Sequence, residues 1–487
     1  MLKRVRPGVG CVLLCMLMPG FAHGDERFDQ ADGQPQQSGE RQDEAERDPS
    51  MPANPRGGVL RSIVDFRKTV RFATNRVFPS VVFIRCIREG MEYGRTESES
   101  VSGSGLIISA SGEVVTNWHV VNKASEIRCQ LHDGRAFEAT LLGSDKDTDL
   151  ALLQLEEVGD EALPTGLLGD SDVLVAGDFV MAMGAPWGLS RSVSIGIIAT
   201  THRFLDGNSE YSLWLQTDCA ISPGNSGGPL VNTEGKVVGI TSRGAMMGGD
   251  MGFAIPSRTV SLLVERIRKH GSANWSWFGL QLQPLRDFNR NMYFDGNEGV
   301  IIADTVPGGP GYKAGLRARD RILSFEGEPV AAVTEEDLPA LRRRFGMTEK
   351  GKPAAILVQR GDVRREFTVT PTAKGEVEGE EFDCRRWNMT VKAINQFENP
   401  SLHFYRPEGV YVLGLSSPGN AIRAGLQTMD ILVRIGEHEI TTLDDVKQRY
   451  EALVEDAGAT TQVILTVQRG SLRRQIVLDY SRDFHSK

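Results

Sequence analysis

The 487-residue sequence predicts a mainly β fold with a duplicated C-terminal part. Between Ser80 and Pro256, short apolar runs such as SVVFIRCI, SGLIIS, SEIRCQL, VVGITS and GFAIP are separated by turn signals. That is the pattern of many short strands. The 53 glycines suit turn-rich β structure. Beyond this region the sequence repeats at an offset of about 110 residues, which is the size of a domain rather than of a solenoid unit. The length fits about three domains.

The elements follow in order. Lys3, Arg4 and Arg6 precede a short apolar core, Val9 to Met18, broken by Pro19-Gly20 and followed by the small residues around Ala22. Residues 1–24 therefore read as a signal peptide, whose apolar core is too short for a comfortable membrane span of about 20 residues. An uncleaved anchor is the alternative. Residues 25–58 are polar and charged, and read as a disordered linker. A short helix is expected over Ile63 to Val77. After the strands, a second helix runs from Ser257, as its cap, to a glycine stop at Gly271.

The repeat is carried by named residues. Glu298-Gly299-Val300 returns as Glu408-Gly409-Val410, and Ala314-Gly315-Leu316 with Asp320 returns as Ala424-Gly425-Leu426 with Asp430. Val358 to Val369 returns as Val467 to Leu478. Each copy ends in a hairpin whose turn is Arg-Gly.

Three runs inside the β region carry chemistry. TNWHVV holds His119, DTDLALLQL holds Asp149 and GNSGGPL holds Ser226. A serine hydroxyl needs a neighbouring base to become a nucleophile. An imidazole titrates near neutral pH, and a carboxylate holds its useful tautomer. The order His, Asp, Ser is that of chymotrypsin-type serine proteases. The amides of Gly224 and Ser226, with Asn225 behind them, are the expected oxyanion donors.

These runs, together with GSGLIIS, GDFVMAMGAPWGL and GFAIPS, resemble the HtrA (Deg) family of envelope proteases from about Val70 to Tyr480. The resemblance implies a chymotrypsin-like double β-barrel protease domain over residues 59–272, followed by two α+β PDZ domains over 275–373 and 374–482. It implies the triad His119, Asp149 and Ser226; no cofactor is expected, and with no Cys/His spacing of a zinc site and no HExxH run, no metal is expected either. It also implies a homotrimer, or a higher multiple of one, built through the region of Phe72 and Phe78.

A PDZ domain adds an extended peptide, often the C-terminus of a polypeptide, as a strand beside an exposed edge. The matching loop of the first copy is Trp277, Phe278, Gly279 and Leu280. In the second copy the corresponding run, Arg386 to Val391, has no glycine. Ligand binding and a purely structural role both stay open there.

Residues around the nucleophile bear on specificity. Six residues before Ser226 stands Ala220, followed by Ile221, where trypsin-like members carry an aspartate. With Thr241, Ser242, Arg243 and the run Ala245, Met246, Met247, these residues predict an apolar pocket, unless Arg243 intrudes. Asn225 stands where zymogen-type relatives have an aspartate that pairs with a new N-terminus. Regulation is therefore expected to be conformational, not proteolytic.

Composition narrows the rest. A net charge of −9 argues against a nucleic-acid partner. Four cysteines follow the signal segment, and a Cys86–Cys129 bridge is possible in an exported protein. The expected function is an exported, periplasmic, ATP-independent endoprotease acting on misfolded or unfolded proteins, since no nucleotide motif is present. The alternatives are a PDZ-regulated signalling protease and a chaperone or scaffold with little proteolytic activity.

Overall fold

A computed structural model describes residues 56–159, 161–185, 192–244, 251–289, 296–455 and 461–484. The signal segment, most of the polar linker and the run from Ala245 to Met247 lie outside the described residues. Helix α1 (Arg56–Val77) begins earlier than expected and leads into the first strand.

Two closed barrels follow. The first is formed by β1 (Val81–Gly90), β2 (Glu97–Ile107), β3 (Glu113–Thr116), β4 (Ala124–Gln130), β5 (Ala136–Asp145) and β6 (Leu150–Leu155), closing in the order β1-β2-β3-β6-β5-β4. Helix α2 (Trp118–Val121) leaves β3. The second barrel is formed by β7 (Phe179–Gly184), β8 (Ser192–Arg203), β9 (Trp214–Thr217), β10 (Pro229–Asn232), β11 (Val237–Gly244) and β12 (Gly252–Pro256), in the order β10-β11-β12-β9-β8-β7. Closure removes exposed strand edges. Leu106, Leu150, Leu152, Met183, Val231 and Ile240 are buried in one core cluster that joins the two barrels.

Helix α3 (Ser257–His270) packs on this core through Val260, Leu263, Val264 and Ile267. It ends, as expected, at Gly271 with φ +72. Its start differs from expectation. Pro256 is the capping position, and the Ser257 hydroxyl donates to the Gly169 carbonyl at 2.8 Å. A tertiary acceptor has displaced the local cap.

The repeat folds as two α+β PDZ domains. The first comprises β13 (Ser276–Trp277), β14 (Leu280–Gln283), α4 (Arg286–Asn289), β15 (Val300–Thr305), α5 (Pro310–Lys313), β16 (Arg321–Phe325), β17 (Glu328–Pro329), α6 (Leu338–Gly346), β18 (Ala354–Arg360), β19 (Val363–Val369) and β20 (Thr372–Ala373). Its sheet runs β14-β15-β16-β18-β19, so β14 is an edge strand, and β13 pairs with β20. The second comprises β21 (Glu381–Cys384), β22 (Met389–Ala393), α7 (Pro400–Tyr405), β23 (Val410–Leu415), α8 (Asn420–Ala424), β24 (Ile431–Ile435), β25 (His438–Glu439), α9 (Leu443–Glu455), β26 (Gln462–Arg469) and β27 (Leu472–Asp479). Its sheet runs β21-β22-β23-β24-β26-β27.

The repeated residues meet in the same way in each copy. Arg360 grips Asp320 at 2.6 Å and donates to the Gly315 carbonyl. Arg469 grips Asp430 at 2.7 Å and donates to the Gly425 carbonyl. Asp320 and Asp430 are buried, so each ion pair closes a charge that burial would otherwise penalise. The Arg-Gly turns at Gly361 and Gly470 both have φ +59, a conformation glycine takes without steric cost.

The cysteine expectation is corrected. Cys86 and Cys129 are free and buried. The β1–β4 register sets Cys86 opposite Ile127 and Cys129 opposite Ile84, a diagonal offset of two residues. Both thiols pack as small apolar side chains in the first barrel.

Candidate active site

The site lies where the barrels meet. His119 sits on α2, Asp149 just before β6 and Ser226 in the turn before β10. The His119 ring Nδ1 is 2.9 Å from each oxygen of the Asp149 carboxylate, and the His119 amide donates to Oδ1 at 3.1 Å. The Ser242 hydroxyl donates to Oδ2 at 2.5 Å, and an Arg243 guanidinium nitrogen lies 3.5 Å from it.

Asp149 is almost fully buried, and burial is the largest influence, pushing its carboxyl up. The His119 hydrogen bond and charge, the Ser242 hydroxyl and the Arg243 charge outweigh it, so the group is held below its ordinary value. Its backbone is left-handed, with φ +56. The Asp149 carbonyl accepts from the Trp118 amide at 3.1 Å and from the Asn117 side chain at 3.0 Å. These bonds tie the Asp149 turn to the start of α2.

The Ser226 hydroxyl is aimed elsewhere. It donates to the Ser242 carbonyl at 2.8 Å, and no hydrogen bond joins it to His119. The amides of Gly224 and Ser226 have no partner among the described residues, as oxyanion donors require. Asn225 is corrected: its amide donates to the Ser222 carbonyl at 2.9 Å and is not open to a ligand.

Ser104 lies in GSGLIIS, where no feature of the sequence marks it as part of the site. Its amide donates to the Ser226 carbonyl at 2.7 Å and its hydroxyl to the Gly224 carbonyl at 2.7 Å. That hydroxyl also accepts from the Ala185 amide at 2.9 Å. Gly227 has φ +85, and a Cβ there would lie 2.1 Å from the Ser104 carbonyl oxygen. Only glycine fits this approach of one barrel to the other.

The pocket residues divide. Ala220 is exposed and Ile221 half-buried. A Cβ on Gly252 would lie 2.6 Å from Ile221 Cδ1, and one on Gly244 would lie 3.2 Å from the Ile221 carbonyl oxygen. The Ile221 side chain thus fills space that Gly252 leaves, and its carbonyl lies against Gly244. Thr241 and Ser242 do not line the pocket with their side chains. Thr241 is buried, with its hydroxyl donating to the Asn225 carbonyl at 2.7 Å. Ser242 is buried against Asp149. Arg243 turns to Asp149, donates to the Asn208 side chain at 2.6 Å and covers the Trp214 ring.

A second acidic cluster abuts this loop. Asp145 is buried and accepts from Thr148 N and Oγ1 at 3.1 and 2.7 Å and from Trp275 Nε1 at 3.1 Å. Asp147 pairs with Lys374 at 2.6 Å. Burial and then the Asp147 charge push the Asp145 carboxyl up to about 7, against the pull of Thr148, Lys374 and Trp275.

In the first PDZ domain, Gly279 has φ +66 and its carbonyl accepts from the Val306 amide at 2.9 Å. Phe278 is buried against Phe325 and Phe345, so it is a core residue. Trp277, Gly279, Leu280 and the edge of β14 line a cavity of about 1020 Å³ with Phe345 of α6.

Comparison with known proteins agrees with this architecture. A trypsin-like peptidase domain model matches residues 103–240, and a PDZ domain model matches 301–362. A periplasmic serine endoprotease of DegP-like type from Halomonas elongata is 36% identical over 380 residues, covering 76% of this chain and 78% of the relative. The chain belongs to the HtrA (Deg) family. A DegP-like relative from Chlamydia trachomatis is 31% identical over 392 residues, covering 78% of this chain and 75% of the relative. The solved HtrA-type protease AlgW with a tripeptide is 31% identical and has a TM-score of 0.55, covering 63% of this chain and 97% of AlgW. This HtrA protein is accordingly a serine endopeptidase with a chymotrypsin-like protease domain and PDZ domains. Among the described residues, no helix is long and apolar enough to cross a membrane.

Proposed function

We propose that this HtrA protein is an exported, periplasmic, ATP-independent endoprotease that cleaves unfolded polypeptides with Ser226 as nucleophile, His119 as general base and Asp149 as orienting carboxylate. The His119–Asp149 contact carries the reading, because it holds Nε2 free to take a proton. Gly224 and Ser226 amides supply the oxyanion donors, and Ile221 makes the primary pocket apolar.

In the proposed mechanism the Ser226 hydroxyl exchanges the Ser242 carbonyl for the His119 imidazole. A substrate amide donating to that carbonyl favours the exchange. This supports conformational gating rather than activation by N-terminal cleavage, which Asn225 does not serve. The free edge of β14 supports addition of an extended or C-terminal peptide at the first PDZ domain, with Trp277 and Leu280 lining the groove. The exposed rings of Phe66, Phe72 and Phe179, two of them in contact at 5.3 Å, support a homotrimer through this face. Charge and architecture give no support to a nucleic-acid partner.

The test is digestion of casein without nucleotide by the mature protein and by Ser226→Ala, with labelling by a covalent phosphonate. The expected result is cleavage and labelling of the mature protein alone, with the rate falling by at least about a thousandfold in the variant. Equal cleavage by the variant would remove Ser226 from the role. No cleavage of any unfolded protein by the parent would leave a binding protein or a single-substrate protease.

A further inference from the structure

The second PDZ domain differs from the first at the strand edge that receives peptides. By sheet order, β22 occupies the position of β14, β23 that of β15, and α9 that of α6. In the first domain the outer edge of β14 has no strand beside it among the described residues. In the second, β21 lies along that edge, antiparallel, with Glu381 opposite Lys392, Phe382 opposite Val391, Asp383 opposite Thr390 and Cys384 opposite Met389.

Its side chains alternate as those of a bound strand do. Phe382 points inward and meets the Tyr450 ring of α9 edge-on at 5.6 Å. Cys384, two residues on, is fully buried in the domain core. The intervening residues face the protease domain. Glu381 pairs with Lys123 at 2.5 Å, just after α2, and with Lys392 at 3.0 Å. Asp383 accepts from the Thr96 amide and hydroxyl at 3.0 and 2.9 Å. Asn388, with φ +57, takes the left-handed position in the loop between β21 and β22.

We propose that Glu381–Cys384 is an internal ligand of the second PDZ domain: it fills the peptide groove between β22 and α9, and the folded protein therefore takes extended peptide only at the first domain. The groove's chemistry is that of a strand receptor for apolar side chains at alternate positions, and the protein supplies its own. Removal of the inward aromatic opens a second peptide site.

The test uses the full-length protein with Ser226→Ala, so that peptides survive. The probe is a fluorescein-labelled heptapeptide copying residues 379–385 with serine in place of the cysteine, titrated by anisotropy and calorimetry. Hydrogen exchange at β22 and at the β26–β27 hairpin reports folding of the domain. The expected result is no more than one probe per molecule before further change, and one additional site in Phe382→Asp. Amides of β22 should lose protection by at least about a hundredfold in that variant while the hairpin keeps its own. Asp383→Asn, altered on the outward face, should gain no site. A second site in the protein with Phe382 intact would overturn the proposal whether or not the variant folds. So would a folded Phe382→Asp variant that gains none. These readings do not depend on proteolysis, so they fail separately from the assignment of the triad.

Discussion

The Ser242 carbonyl accepts the Ser226 hydroxyl at 2.8 Å while the Ser242 hydroxyl donates to Asp149. One residue thus holds both ends of the proposed relay, by different atoms. Exchange of the first bond costs about one hydrogen bond, of the order of 0.5–1.5 kcal/mol, which a bound substrate readily offsets.

Ser242→Ala separates the two contacts, because it removes the hydroxyl and keeps the carbonyl. A hydrogen bond to a charged group contributes about 1.5–3 kcal/mol, so kcat should fall roughly 10- to 150-fold. KM should hardly move. Steady-state kinetics on a peptide substrate checks this, and an unchanged kcat would show that Asp149 is oriented without Ser242.

The pocket should favour aliphatic side chains because the Ile221 side chain fills the space beside Gly252. Ile221→Ala should move the preference toward Leu, Met and Phe by about tenfold or more in kcat/KM ratio, at the usual value of buried methylenes. A panel of peptides differing only in the residue before the cut provides the measurement. Preference for Lys or Arg in the parent would refute the apolar pocket.

Stability should carry the mark of Asp145. Its folded value of about 7 lies above the ordinary carboxylate value near 3.9. Between these limits the folded protein holds a proton that the unfolded one has released, so its stability falls as pH rises through that window and levels off above it. Asp145→Asn has no charge to form there and should flatten the slope. Thermal melts of parent and variant from pH 4 to pH 8 decide the matter; parallel curves would mean that Asp145 is ionised throughout.

The buried cysteines should stay inert. Burial pushes the Cys86 thiol up to about 12 and the Cys129 and Cys384 thiols up as well. A thiol-specific reagent at neutral pH should label none of Cys86, Cys129, Cys219 and Cys384 in the native mature protein and all four after denaturation. A native mass lower than that of the reduced protein by two hydrogen atoms would instead reveal a bridge.

Much of this is legible in the sequence itself. Strand runs, the repeat and the order His119, Asp149, Ser226 are local patterns, set by alternation and residue type. What escapes depends on contacts between distant segments. Ser104 reaches Gly224 across 120 residues, and nothing in GSGLIIS alone marks that reach. Arg243 threatens the pocket on paper because its attraction to Asp149 exists only once β11 meets the turn before β6. Strand β21 has four residues and no counterpart pairing in the first copy, so the repeat gives no hint of it. Ser257 misleads because a folded neighbour, the Gly169 carbonyl, outcompetes the helix end for its hydroxyl.

The close approach of Gly227 to Ser104 constrains how such proteases are recombined. Part of the cradle around the nucleophile, Ser104, belongs to a barrel that carries no part of its loop. A chimera joining the N-terminal barrel of one relative to the C-terminal barrel of another inherits a working alignment only when positions 104 and 227 are taken as a matched set. Engineers grafting barrels should treat that seam, rather than the linker, as the unit of exchange.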